Sequence, residues 1–374
     1  MVRPAANLSA RLIVTVMLLS LFGLVMLFSI SGPRGEVQYG NSYFFVTRQG
    51  LFLLLGIGGM VVAARTDYRK WFRFVWPLFG VTALLLLLVY IKPIGQEING
   101  SSRWIRFPGI PVQLQPSEIA KLSVLLFLAH WHGTKYPKWP GMVKGFIVPL
   151  AIIGVLLALI LCEVDFGATA LIAATALAIF LAAGMAWWLV VGAGVFGLSG
   201  LGIMAAMHPE RMARMVAFLS PEEHAADKAY QLINALYGFV AGGLTGLGLG
   251  HGLQKLRYLP EAHTDFIFAC IGEELGLGVT LGIIVVFCFF LLTGLRIAAR
   301  SKERRGQLLA FGITVLVSLQ AIINICVVTG CCPTKGLPLP FISYGGSGLL
   351  VLLFLTGILV NIANHPDPAK EDEE

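Results

Sequence analysis

Apolar and polar positions in this chain alternate in long blocks, not in the short rhythm of a soluble fold. Predominantly apolar runs occupy residues 11–31, 50–64 (extending back toward 43), 71–91, 117–131, 145–161, 166–184, 186–206, 265–295, 308–330 and 341–363. A helix crosses the hydrocarbon core with about 20 such residues, so the pattern predicts an all-α polytopic membrane protein of ten transmembrane helices. The first run is too long for a signal-peptide core and no convincing small-residue cleavage site follows it, so it is expected to be a retained span.

Charge orients the array. The segments R-T-D-Y-R-K-W-F-R (65–73) and R-I-A-A-R-S-K-E-R-R (296–305) hold the densest basic clusters and are expected on the cytoplasmic side, with Lys135, Lys138 and Lys144. Ten spans then place both termini inside. The longest loop, 207–264 between helices 7 and 8, falls outside. Residues 1–374 read as a single integral-membrane domain, and the acidic tail 365–374 is expected to be disordered. The outward loop 92–116 breaks the charge rule by holding Lys92, Arg103 and Arg106. Either these are too few to override topology, or they serve an anionic ligand.

The composition agrees: 57% of residues are hydrophobic and 13% charged, and mean hydropathy is +0.82. The net charge of +7 sits in short loops, which fits the positive-inside rule and no nucleic-acid partner. Six cysteines show no metal spacing and no disulfide framework. The glycine-dense run 242–252 is expected to turn tightly against protein, after an amphipathic helix A-Y-Q-L-I-N-A-L-Y-G.

Candidate chemistry gathers in Y-L-P-E-A-H-T-D-F-I-F-A-C-I-G-E-E-L-G (258–276). Asp265 ends the long loop. It either caps the next helix, as Thr264 also could, or acts as a general base beside His263 and Glu261. Glu273 and Glu274 lie roughly 12 to 14 Å deeper at about 1.5 Å per residue, where a carboxylate needs a partner. Glu118 and Lys121, spaced i,i+3, are expected to pair with each other or with the eighth helix. Arg48, Arg103 and Lys335 would suit a pyrophosphate if they converge. Asp165 is a helix cap or a cavity group, and Trp104 is an interfacial belt residue or a platform for a sugar. The Pro- and Gly-rich stretch 333–348 predicts a groove beside the last helix.

The segments N-G-S-S-R-W-I, Q-P-S-E-I-A-K, V-D-F-G, Y-L-P-E-A-H-T-D-F-I-F-A with G-E-E-L-G, and K-G-L-P-L-P-F-I-S-Y-G-G-S run in order over 99–347. Together they resemble the SEDS family of bacterial cell-wall polymerases, and its division branch more than its elongation branch. The resemblance implies an enzyme of the inner membrane, working at the division septum with other divisome proteins. It polymerises lipid II onto a lipid-linked nascent glycan beside a class B penicillin-binding protein that cross-links the product. It makes Asp265 the catalytic base. It places Trp104, Gln115, Glu118, Lys121, Asp165, Lys335 and Ser343 in or around the substrate cavity. Ser102, Val164, Ala168, His251, Gly252 and Gly348 depart from the usual pattern without touching the base. No cofactor is implied with certainty; a divalent cation, Mg or Mn, stays open because no ligand set is recognisable. A lipid II flippase and a non-catalytic division scaffold remain alternatives, although candidate groups near one face count against a transporter.

Overall fold

The structure, a computed structural model, describes residues 4–92, 94–98, 101–106, 113–134, 141–207, 209–224, 229–256, 259 and 261–365. Lys135, Lys138 and the tail from 366 lie outside the described residues. All ten predicted helices are present. They are α1 (Pro4–Tyr39), α2 (Phe44–Arg65), α3 (Tyr68–Trp71) running through a 3-10 turn into α4 (Val75–Leu88), and α5 (Pro116–Thr134). After these come α6 (Val148–Cys162), α7 (Phe166–Ala182), α8 (Trp187–Ala206), α11 (Ile267–Arg300), α12 (Arg304–Val328) and α13 (Gly346–Asn364). Eight helical segments are long and apolar enough to span a membrane. The other two of the ten are α7, which is shorter, and α5, which carries a buried charge pair.

The architecture is the expected all-α one, with one small sheet that was not expected. Between α4 and α5 the chain forms β1 (Gly95–Ile98), β2 (Ser101–Arg106) and β3 (Gln113–Leu114), paired antiparallel in that order. These strands are short and polar, so they carry little periodicity to read. The long loop holds α9 (Pro209–Leu219), which was not expected, and α10 (Tyr230–Gly242), which was. The last helix starts at Gly346, and residues 341–345 form the turn before it.

Burial sets the plan. In α12 and α13 most of the spanning window is buried, 61% and 67%, against 6% in α8. α12 packs on α5, α7, α11 and α13, and so forms the centre of the bundle. Gly357 of α13 lies where a Cβ would meet the Met60 backbone, which lets α13 and α2 approach closely. At one end the two most basic loops meet: Arg69 Nε reaches Glu303 Oε2 at 2.6 Å and the Tyr68 hydroxyl donates to it at 2.8 Å. The helices run from there to the opposite end, where the candidate groups lie.

Candidate functional site

Asp265 stands in a turn that local chemistry holds open. Glu261 adopts φ 58°. Its carbonyl accepts from Thr264 N at 3.1 Å, and its carboxylate accepts from the Thr264 hydroxyl at 3.1 Å. Arg34, on α1, faces Glu261 Oε1 at 3.5 Å and His263 Nδ1 at 3.4 Å. The His263 carbonyl in turn accepts from Tyr344 N at 3.0 Å, which ties this turn to the one before α13. Neither Thr264 nor Asp265 caps α11: the N-cap is Phe266, with no side-chain bond.

The Asp265 carboxylate accepts no hydrogen bond and joins no ion pair among the described residues. It is half-buried. A Cβ added at Gly336 would stand 3.0 Å from Oδ2, so the loop after α12 passes directly over it. Desolvation, then the Glu261 charge, push its pKa up to about 7 against the pull of Arg103. Burial and the neighbouring Arg34 hold His263 down at about 4, so its imidazole is neutral near pH 7.

Asp165 faces the same mouth, and its charge is felt by Asp265. It caps α7 by accepting from Ala168 N at 3.1 Å, as one of its two sequence readings held. It also accepts from Gln115 Nε2 at 3.2 Å and Ser117 Oγ at 3.4 Å, and pairs with Arg103 Nη1 at 3.8 Å. Arg103 Nη2 donates to the carbonyl of Val164, whose φ is 65°. Trp104, next on β2, pairs with Gln96 across the hairpin and is half-buried. Glu163 is buried beside them with both oxygens unpartnered among the described residues, and burial pushes its pKa up to about 9.

Beneath this mouth lies a polar ladder. Lys121 Nζ binds Glu118 Oε1 at 2.7 Å and Gln320 Oε1 at 3.1 Å. Gln320 Nε2 donates to Pro338 O at 2.8 Å. One helical turn on, Asn324 Nδ2 donates to Asp265 O at 2.8 Å and Leu337 O at 2.7 Å. Two amides of α12 thus hold the Asp265 carbonyl and the 337–338 backbone, and the sequence reading missed them. Their i,i+4 spacing in an apolar helix was the available signal.

Glu273 and Glu274 do not pair with Lys121. Glu273 accepts from Leu253 N at 2.8 Å and from Gln254 N. Glu274 binds Lys255 Nζ at 2.6 Å, with Ser29 Oγ at 2.6 Å and Gly250 N at 3.1 Å. Their partners come from the end of the glycine run, whose backbone also pairs with α11. Leu247 N bonds Glu273 O at 3.0 Å, Gly248 N bonds Glu274 O at 2.9 Å, and Leu277 N bonds Gly243 O at 2.9 Å. Gly276, at φ 75° and ψ −176°, makes the kink that frees those carbonyls, a conformation only glycine adopts cheaply.

Of the remaining candidates, Arg48 stacks over Phe44 at 4.4 Å and bonds Tyr344. Lys335 is exposed next to Gly336. Ser343 Oγ accepts from Leu339 N at 2.8 Å and so shapes the turn. Arg48, Arg103 and Lys335 lie on three separate elements, α2, β2 and the loop after α12, and of the three only Arg103 is felt by Asp265. Among the described residues no group of three or more His, Cys, Asp or Glu side chains is placed to hold a metal ion.

A family model described as cell cycle protein, of the FtsW, RodA and SpoVE type, matches residues 9–367. The chain belongs to this family, the SEDS proteins. SEDS relatives include the probable peptidoglycan glycosyltransferase FtsW of Geobacter metallireducens, 41% identical over 93% of this chain and 92% of that one. Stage V sporulation protein E of Bacillus subtilis is 36% identical over 95% and 96% of the two chains. Among solved SEDS folds, RodA of Thermus thermophilus superimposes with a TM-score of 0.70 at 24% identity, covering 95% of this chain and 96% of that one. A chain of a peptidoglycan synthase complex that couples polymerisation and cross-linking gives 0.74 at 24%, over 94% and 96%.

Proposed function

We propose that this protein is a peptidoglycan glycosyltransferase of the bacterial inner membrane that polymerises lipid II at the division septum. Both termini are cytoplasmic and the Asp265 mouth faces outward. The observation that carries this is the Asp265 carboxylate: partly desolvated, unpartnered among the described residues, in a polar mouth, with a pKa near 7. A base works best with its pKa near the working pH, and one without a partner has its lone pairs free for a substrate proton.

In this reading the 4-hydroxyl of the acceptor lipid II's GlcNAc attacks the anomeric carbon of the growing strand's MurNAc. Asp265 takes the hydroxyl proton as the new bond forms. The anomeric centre inverts and undecaprenyl pyrophosphate leaves. Arg48, Arg103 and Lys335 are the cations assigned to the diphosphate, and Trp104 the ring assigned to a sugar. Asp165, through Gln115 and Ser117, keeps Arg103 aimed inward, while the Glu118–Lys121 pair and Ser343 support the groove. A class B penicillin-binding protein cross-links the product, consistent with the complex formed by the structural relative.

The test is strand synthesis from labelled lipid II in detergent, read on a gel, with the partner's transpeptidase blocked, for wild type and Asp265→Asn. Long strands with wild type alone support the polymerase and its base. Strands from both remove Asp265 as base. Strands from neither, with the partner present, favour a flippase or a scaffold, since detergent leaves no membrane to flip across. Adding EDTA to the same reaction, with Mg or Mn restored, decides whether a divalent cation assists.

A further inference from the structure

Three of the six cysteines meet at one point that the mechanism does not use. α12 ends in a tight left-handed cap: Gly330 has φ 77°, its N–H reaches Val327 O at 3.2 Å, and Cys331 N–H reaches Cys326 O at 2.7 Å. This crossing pair of bonds is the Schellman arrangement, which folds the residue after the glycine back over the third-last residue of the helix. Here those two residues are Cys331 and Cys326. Cys332 N–H also turns back to Cys326 O, at 3.1 Å. The Cys332 and Cys326 thiols are near enough to act on each other, whereas the exposed Cys331 sulfur takes the Thr329 hydroxyl at 3.5 Å.

We propose that Cys326 and Cys332 form a reversible disulfide that staples the foot of the 333–345 loop to α12. Both residues are partly exposed, so an oxidant reaches them. The reaction is exchange with a small-molecule or protein disulfide. One cysteine thiolate attacks it, giving a mixed disulfide and one released thiol. The second cysteine then displaces the remaining half as a second thiol, so two electrons and two protons pass to the oxidant. The bridge closes only the residues between 326 and 332, so its effect is local. That locality matters because Pro333 follows Cys332 directly, Lys335 follows two residues on, and Gly336 covers Asp265. The oxidised form fixes where this loop starts; the reduced form leaves that start to the cap, with the amides of Gln320 and Asn324 holding the loop further on.

The test uses the purified full-length protein in detergent and depends neither on the side the loop faces nor on what the protein polymerises. After equilibration with glutathione disulfide, the protein is denatured in N-ethylmaleimide and digested for mass spectrometry. The expected product is a Cys326–Cys332 linked peptide two hydrogens lighter than the reduced form. It carries no alkyl adduct on either residue and disappears with dithiothreitol. Cys331→Ser retains it; Cys326→Ser and Cys332→Ser lose it. Full alkylation or glutathionylation of both Cys326 and Cys332, or a bridge that persists through Cys331 in Cys332→Ser, overturns the assignment. Amide exchange across 333–337 is expected to slow several-fold on oxidation, and an unchanged rate overturns the stapling of the loop.

Discussion

The side-chain amide of Asn324 donates to the main-chain carbonyl of Asp265 at 2.8 Å. Asp265 is thus held by its backbone while its carboxylate has no partner among the described residues. The other proton of the same amide binds Leu337 O, so one residue joins the turn before α11 to the loop after α12. Replacing Asn324 by Leu leaves two carbonyls without their donor, at about 1–3 kcal/mol for each one buried. The expected result is a lower unfolding temperature together with reduced strand synthesis. Normal synthesis in a folded Asn324→Leu protein would show that the anchor does not position the base.

Ionisation of Asp265 acts on rate and stability in opposite senses. Its folded pKa is about 7 against 3.8 for an ordinary aspartate, so across that window the folded chain keeps a proton the unfolded chain has released. Stability from this group is full below about 4, falls as pH rises, and levels off above about 7. Catalysis by a base rises over the same interval. Asp265→Asn is therefore expected to unfold at a higher temperature than wild type at pH 8, with the gap closing toward pH 5. Wild-type kcat/KM is expected to climb to a plateau just above pH 7.

The Glu118–Lys121 pair is predicted to be worth most when only half of it is removed. Both side chains are buried, so Lys121→Met leaves an uncompensated carboxylate and costs about 3–5 kcal/mol. Glu118→Gln combined with Lys121→Met removes both charges and is expected to recover part of that loss. Denaturation of the two single variants and the double variant gives the coupling directly. Additive losses would mean that the pair is not an energetic unit.

Gly336 offers a probe of the mouth that leaves the core alone. Its hydrogen faces Asp265 Oδ2, and a methyl there sits 3.0 Å from it, closer than ordinary contact. Gly336→Ala is expected to shift the carboxylate and lower kcat with little change in thermal stability. An unaltered kcat would place the reacting proton elsewhere.

Much of this architecture was legible because the forces behind it are local. Run length and hydropathy alone located ten helices, although α1 (Pro4–Tyr39) extends well beyond the run 11–31 at both ends, and the block 65–73 was correctly grouped with 296–305, which the Arg69–Glu303 contact joins. What escaped depends on contacts distant in sequence. Glu274 meets Lys255 from a glycine-rich loop that carries no helical pattern. Gln320 and Asn324 were not singled out, because their carbonyl partners come from the turn at Asp265 and the loop 337–338. The cysteines showed no disulfide framework in sequence because Cys326 and its cap-mates become neighbours only through the turn at Gly330.

The pairing between residues 243–248 and the start of α11 carries a consequence for biogenesis. Neither stretch satisfies its own backbone: one is too rich in glycine to coil, and the other is broken at Gly276. Synthesis delivers the glycine stretch first, so its amides must wait, hydrated at the membrane surface, until the ribosome has released residues 273–278. The segment just before the proposed base is thus a late arrival, completed by chain that has not yet been made when it emerges. A nascent protein halted before Leu277 N reaches Gly243 O holds a helix array whose Asp265 end is unfinished.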